Sequence, residues 1–380
     1  MERAATSYNP SVPSAPANKQ TTTEVFMQSL QSFRTRVALL VLICVLSIGQ
    51  STTACTRLVY LGPNGTVITA RSMDWSVDIG TNLWILPRGA HRAGEAGAHS
   101  VEWTSKYGSV VATGYDISTT DGMNEKGLVA NLLWLAESEY PTPDPSKPGL
   151  AISLWAQYVL DNFATVNEAI DHLNMEPFVL VTANVPGQER LATLHLSISD
   201  ATGDSAIVEY IGGKQVIHHD RKYQVMTNSP TYEKQLAMEE YRQSIGGTVM
   251  LPGTNRAADR FARASFYIKA IPQEEDPQMA LASVFSVIRN VSVPYGITTP
   301  DQPNISSTRW RTVADQKRLV YFFESAVTPN VFWVNFPDID FSAETGKVMK
   351  LDLGKNQSNI HAGNVAKDFK PSPPFKFLGL

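Results

Sequence analysis

Runs of alternating or β-branched residues follow one another along this chain, separated by turn sequences, and helical periods come in two separate blocks. No other feature limits the fold as much. Strand-like runs lie at residues 56–61, 66–74, 109–114, 128–135, 191–199, 205–210, 215–219 and 223–228, and again at 309–313, 318–324, 331–335 and 348–351. Apolar periods predict helices over 151–163, 166–175, 231–243, 257–270 and 277–289. Strands that neighbour strands need hairpins and not βαβ crossovers, so the order implies an α+β fold. Gly62-Pro-Asn-Gly65 and Asp200-Ala-Thr-Gly-Asp204 are turn sequences between such runs. The runs 215–219 and 223–228 are expected to pair with each other. The tail after Gly354 is polar and proline-containing and predicts no element. With no repeat or low-complexity linker after residue 55, residues 55–380 read as a single domain.

The N-terminal segment reads differently. Residues 1–33 are rich in Pro, Ser and Thr and carry no apolar period, a composition that favours disorder. Arg34 and Arg36 then precede an apolar run at 37–49, and small residues follow at Thr52-Thr-Ala54. A basic start, a short apolar core and a small-residue site are the grammar of a secretory signal peptide, and the run is short for a membrane span. Met27 offers a second start. Residues 1–54 are therefore expected to be removed, leaving an exported protein, periplasmic or secreted, with no stable membrane anchor.

Removal after Ala54 changes the cysteine arithmetic. The chain has two cysteines, Cys44 and Cys55, and only Cys55 survives, as the first residue. Three readings compete for it. A buried structural thiol is unusual at a terminus. Lipidation normally follows a Leu three residues upstream, where this chain has Thr52. The third reading is an N-terminal nucleophile, which carries thiol and α-amine on one residue. An α-amine titrates near about 7.7–8.0, so it can take the proton of its own thiol.

Formal net charge is -4, with 32 basic and 36 acidic side chains, so the chain lacks the basic excess used to bind nucleic acid phosphates. Two cysteines and seven histidines with no H-x-x-x-H pair support neither a zinc ribbon nor a helix-borne zinc site; no metal and no cofactor are expected. No G-x-S-x-G occurs, which leaves a serine hydrolase little support.

Four polar positions join Cys55. Arg71 and Asp74 lie on the returning strand of the hairpin that starts at the cysteine. There an Asp can hold the α-amine and an Arg can favour the thiolate; the plain alternative is a solvated ion pair. Asn228 ends a strand-like run before Ser229-Pro230, where its amide could donate to an oxyanion or simply make a turn. Arg260 opens a helix after Leu251-Pro-Gly-Thr254 and is otherwise an ordinary surface charge.

Taken together these residues resemble the choloylglycine hydrolase family of N-terminal nucleophile hydrolases, which contains bile salt hydrolases and penicillin V acylases. The resemblance covers essentially the whole mature chain. It is carried by Cys55-Thr-Arg, Ala70-Arg-Ser-Met-Asp-Trp75, Gly122-Met-Asn-Glu-Lys-Gly-Leu128, Met226-Thr-Asn-Ser-Pro230, Leu251-Pro-Gly253 and Asp259-Arg-Phe-Ala-Arg263. It implies a four-layer αββα sandwich. It also implies Cys55 as nucleophile, Arg71 near its sulfur, Asp74 on the amine, Asn228 in the oxyanion hole and Arg260 as second arginine. The backbone N–H of Trp134 matches the other oxyanion donor. Trp75 and Trp134 look like the tryptophan pair of the Gram-negative penicillin V acylase branch, placed to bind an aryl or long acyl group.

The implied activity is hydrolysis of a linear amide C–N bond between an apolar acyl group and a small polar amine, with acyl-homoserine lactones as further substrates. Two alternatives stay open. One is a conjugated bile salt hydrolase; the other is an inactive secreted or lipid-anchored binding protein of the same fold. The stretch from Asn228 to Arg260 is shorter than in bile salt hydrolases, where it helps assemble a tetramer, so a homo-oligomer is also left open.

Overall fold

The computed structural model describes residues 55–298 and 305–380. The segment expected to be a signal peptide, and Cys44 within it, lie outside the described residues. Two large sheets stack face to face. The seven-stranded sheet runs Val225–Met226, β1 (Thr56–Leu61), β2 (Val67–Trp75), Ser307–Asp315, Val320–Ser325, Val331–Asn335 and Gly363–Asn364. The nine-stranded sheet runs Lys214–His219, Ser205–Ile211, Leu194–Ser199, Val129–Trp134, Ser118–Asn124, Ser109–Gly114, Leu83–Leu86, Met349–Leu351 and Lys370–Pro371.

Helices α1 (Trp155–Asn162) and α2 (Val166–Leu173) cover the outer face of the nine-stranded sheet. Helix α3 (Tyr232–Ser244) packs on α4 (Ala257–Ala270), and α4 and α5 (Pro277–Asn290) cover the seven-stranded sheet. The result is a four-layer αββα sandwich, as the motifs implied. Local chemistry sets the helix starts. Asp276 accepts the N–H groups of Gln278 (2.7 Å) and Met279 (3.0 Å) at the head of α5, and Pro277 occupies its first position.

Because each large sheet is covered on both faces, the period of two sorts residues between cores and not between core and water. Val110, Ala112, Val129 and Leu133 join the core that includes the seven-stranded sheet. Val111, Ala130 and Leu132, one residue out of step, join the core under α1 and α2. All nine residues of β2 are buried, Arg71 and Asp74 included.

Three expectations need correction. The runs 215–219 and 223–228 do not pair. Lys214–His219 stays with Ser205–Ile211, while Val225–Met226 crosses to the other sheet and lies beside β1. The helix expected from residue 151 begins later: Gly149–Ala151 pairs in parallel with Val179–Val181, and a 3₁₀ turn at Ile152–Leu154 leads into α1. The tail after Gly354 is built into both sheets through Gly363–Asn364 and Lys370–Pro371.

The strand Ser118–Asn124 escaped the sequence reading because its polar residues break the β pattern. Inside the sandwich they have partners: Thr119 donates to Gln157 (2.8 Å), and the Asn124 amide donates to the carbonyls of Leu160 (2.9 Å) and Phe163 (2.8 Å). In the turn that follows, Gly127 has φ +81°, and a Cβ there would stand 2.5 Å from the Gln316 carbonyl oxygen. The Asn-Glu-Lys-Gly-Leu motif is thus a tight turn with side-chain anchors.

Candidate active site

Strand register brings the site together. Thr56 lies opposite Ser72, which puts Cys55 at the open end of β1 beside Met73 and Asp74. Arg57 lies opposite Met226, so the same ladder continued two residues brings Asn228 to Cys55. The Cys55 N–H donates to Asn228 Oδ1. On β2, Arg71, Met73 and Trp75 share the face that lines an apolar cavity, whereas Ser72 and Asp74 share the opposite face.

Cys55 is the free thiol of the described residues and is 2% exposed. Its Sγ accepts from the Asp74 backbone N–H at 3.5 Å and has Arg71 Nη2 at 4.0 Å. Burial pushes the thiol up; the Arg71 guanidinium is the largest opposing influence and does not outweigh it. Arg71 thus favours the thiolate, as expected of it, while burial acts in the opposite direction and more strongly.

Arg260 sits in the first turn of α4, fully buried. It donates to the Cys55 carbonyl (2.6 Å), to Thr56 Oγ1, to the Asn255 carbonyl (3.0 Å) and to Asn228 Oδ1 (2.9 Å). The surface charge anticipated as its plain reading is therefore excluded. A guanidinium only donates, so its contact fixes which amide atom of Asn228 is oxygen. The Asn228 Nδ2 then points the other way, and one of its two N–H groups donates to the Trp134 carbonyl at 2.7 Å. That bond uses only one of the two N–H groups. Trp134 lies opposite Leu194, and its contact with Asn228 is made by its carbonyl as acceptor.

The Asp74 carboxylate accepts from Thr308 Oγ1 and from Ser72 Oγ (3.3 Å), with Arg260 Nη1 at 3.9 Å. Burial pushes its carboxyl up to about 6, against the pull of Arg260 and the Thr308 hydroxyl. Asp74 thus braces Arg260, which in turn holds the backbone of Cys55.

Sequence reasoning missed the groups behind these residues. Asp121, buried, lies 3.9 Å from Arg71 Nη1 and accepts from Asn131 Nδ2 (2.5 Å), Thr312 Oγ1 (3.1 Å) and the Tyr321 hydroxyl. Arg71 also lies over the Trp310 ring at 4.8 Å and donates to the Leu132 carbonyl at 2.9 Å. Its Nε and Nη1 have no hydrogen-bond partner among the described residues. The one available signal was an acidic residue directly before the Gly122 motif. For Thr308 there was none.

The cavity beside the thiol has a volume of about 120 Å³. The Trp75 and Trp134 rings line it, 5.6 Å apart and tilted by 56°. The Arg190 guanidinium lies over both, 4.4 Å from Trp134 and 5.4 Å from Trp75, and Trp75 Nε1 donates to the Tyr115 hydroxyl at 2.9 Å. Among the described residues no group of three or more His, Cys, Asp or Glu side chains is placed to hold a metal ion.

Comparison with known proteins agrees with this arrangement. A family model described as linear amide C–N hydrolases, choloylglycine hydrolase family, matches residues 55–349. The penicillin V acylase of Pectobacterium atrosepticum is 60% identical over 348 residues, 86% of this chain and 93% of that protein. A bile salt hydrolase/transferase of Clostridium perfringens is 27% identical over 299 residues, 71% of this chain and 89% of that protein. The solved structure of penicillin V acylase from Agrobacterium tumefaciens matches with a TM-score of 0.81 and 68% identity, covering 86% of this chain and 100% of that one. A conjugated bile acid hydrolase structure from Clostridium perfringens shares the fold, with a TM-score of 0.68 at 23% identity, over 79% of this chain and 97% of that one. The family match begins at Cys55 and spans every residue placed around its thiol: the chain belongs to the choloylglycine hydrolase family of linear amide C–N hydrolases.

Proposed function

We propose that Cys55, freed at its N-terminus by export processing, is the nucleophile of an acylase whose preferred acyl group carries a single aromatic ring, as in penicillin V. The observation that carries this reading is a thiol at the wall of an apolar cavity of about 120 Å³. That volume is of the order of the ~150 Å³ cavity that holds one benzene ring, so its scale favours a single ring over the four fused rings of a bile acid.

The chemistry follows from the contacts. The free α-amine of Cys55 takes the thiol proton, since burial disfavours the bare thiolate. The thiolate attacks the amide carbonyl carbon, and the oxygen gains charge. The second N–H of Asn228 donates to that oxyanion, and the Arg71 guanidinium, its Nη2 4.0 Å from Sγ, adds positive potential beside the sulfur. The C–N bond then breaks, the ammonium returns its proton to the leaving amine, and an acyl thioester remains. Water, losing a proton to the same amine, attacks the thioester and releases the acid and the thiol. Arg260 holds the Cys55 carbonyl through these steps and keeps the first residue in place.

The test is turnover of penicillin V, glycocholate and long-chain acyl-homoserine lactones by the processed protein and by Cys55→Ser. Penicillin V should be hydrolysed faster than glycocholate, and the serine variant should fold normally with turnover nearly abolished. Near wild-type turnover by Cys55→Ser removes the proposed nucleophile; a preference for glycocholate removes the single-ring acyl group.

A further inference from the structure

One side chain of the acyl cavity comes from the tail of the chain, where the sequence predicted no element. Leu378 lines the same cavity as Cys55. Its backbone is pinned on both sides: its N–H donates to the Ile117 carbonyl at 2.9 Å, and its carbonyl accepts from Ser153 Oγ at 2.7 Å. Ser118 Oγ in turn donates to the Ser153 carbonyl at 3.2 Å. Ile117, Ser118, Ser153 and Leu378 thus form one bonded wall, and all four line the cavity. The serine hydroxyls spend their protons on carbonyls, so the wall presents chiefly apolar atoms. None of the hydrogen bonds around the thiol reaches this group, which makes it a wall separate from the reacting end.

The backing of this wall is thin. Leu378 is half-buried, and Lys376, Gly379 and Leu380 around it are exposed. The tail is anchored elsewhere. Phe375 packs edge-on against Trp84 with centroids 4.8 Å apart, and Phe377 against Phe375 at 4.6 Å. Those anchors lie in the core under α1 and α2 and not in the cavity. The Leu378 side chain is therefore the part of the tail that meets the acyl group, with solvent close behind it.

We infer that Leu378 is the stop of the acyl cavity and sets the length of acyl chain the enzyme accepts. The inference rests on the reading of this cavity as the acyl site. Up to the stop, each added methylene gains about fourfold in affinity by leaving water. At the stop, the next carbons must displace a pinned side chain, and affinity falls. Shortening Leu378 opens a path to the surface.

The experiment measures binding and not turnover. The Cys55→Ala protein is titrated by calorimetry with unbranched N-acyl-homoserine lactones from butanoyl to tetradecanoyl. With Leu378 in place, affinity should climb and then drop at one chain length. In Cys55→Ala with Leu378→Ala the drop should move outward by about two carbons or more, and the longest ligands should gain roughly tenfold. A chain ending after Phe377 keeps both aromatic anchors and should behave the same, which guards against a fault peculiar to the alanine. Leu378→Trp should move the drop inward. A drop at the same length in all these proteins, or no dependence on chain length at all, overturns the inference. Hydrolysis of penicillin V by the protein with Cys55 intact reports on the acylase reading separately. Loss of that activity in Leu378→Trp alone, with a shifted drop, would still place Leu378 at the stop.

Discussion

Removing the Asp121 carboxylate tests how the buried charge of Arg71 is held. Arg71 and Asp121 are 0% and 1% exposed, and their closest atoms are 3.9 Å apart. Beyond that pair, Arg71 has one backbone carbonyl, two sulfur contacts and the face of Trp310. Asp121→Ala leaves an uncompensated cation between the sheets, a loss worth about 3–5 kcal/mol. It also strands the donors of Asn131, Thr312 and Tyr321, each about 1–3 kcal/mol if left unsatisfied. These costs overlap, because one relaxation or one admitted water relieves several of them. We therefore expect a total of about 4 kcal/mol and not the sum. Against a typical total of about 5–15 kcal/mol this is a large fraction. Urea unfolding followed by tryptophan fluorescence should show the midpoint falling by roughly 1 M or more at unchanged slope. Asp121→Asn keeps one oxygen acceptor but not the charge and should fall between. Turnover should drop in both variants, since Arg71 is free to leave the sulfur. A change below about 1 kcal/mol in Asp121→Ala would refute the argument and mean that Trp310 and the Leu132 carbonyl suffice to hold Arg71.

Three further outcomes follow from the same site. Burial raises the Asp74 carboxyl to about 6, above the ~3.9 of an unfolded chain. Its contribution to stability is therefore complete below about pH 4 and is lost as pH rises through 6, a span of about 3 kcal/mol. Asp74→Asn cannot ionise, so urea melts at acid and neutral pH should show the wild type losing ground to it by that amount; a pH-independent difference would sink the idea. Asp74→Asn should also lower kcat more than it raises KM, because Asp74 touches Arg260 and not the cavity. Finally, a protein beginning at Cys55 and one retaining an uncleavable residue 54 should give matching circular dichroism and thermal midpoints, with activity only in the first. An amide nitrogen is not basic, so equal activity would show that Cys55 uses another base.

The sequence by itself determined the fold class, because runs of period two placed side by side can only be satisfied by hairpins and covered sheets. The helix expected over 257–270 is the helix found, since its apolar spacing is long and uninterrupted. The Cys55–Arg71–Asp74 cluster was also legible, because one hairpin with one turn fixes its own register. Register between distant strands was not. Asn228 reaches Cys55 only because Val225–Met226 leaves its sequence neighbours and joins the other sheet, and no local pattern encodes that crossing. The same holds for Asp121 and Thr308, polar residues that a strand tolerates only when partners from other elements are already in place. Electrostatics was decided last of all. An arginine beside a thiol favours the thiolate, and Arg71 does so here, but in a site buried between two sheets desolvation is the larger influence and pushes the thiol up. Leu378 stands at the same level: an aliphatic residue in a featureless tail becomes a cavity wall only because Ile117 and Ser153, far away in sequence, hold its backbone.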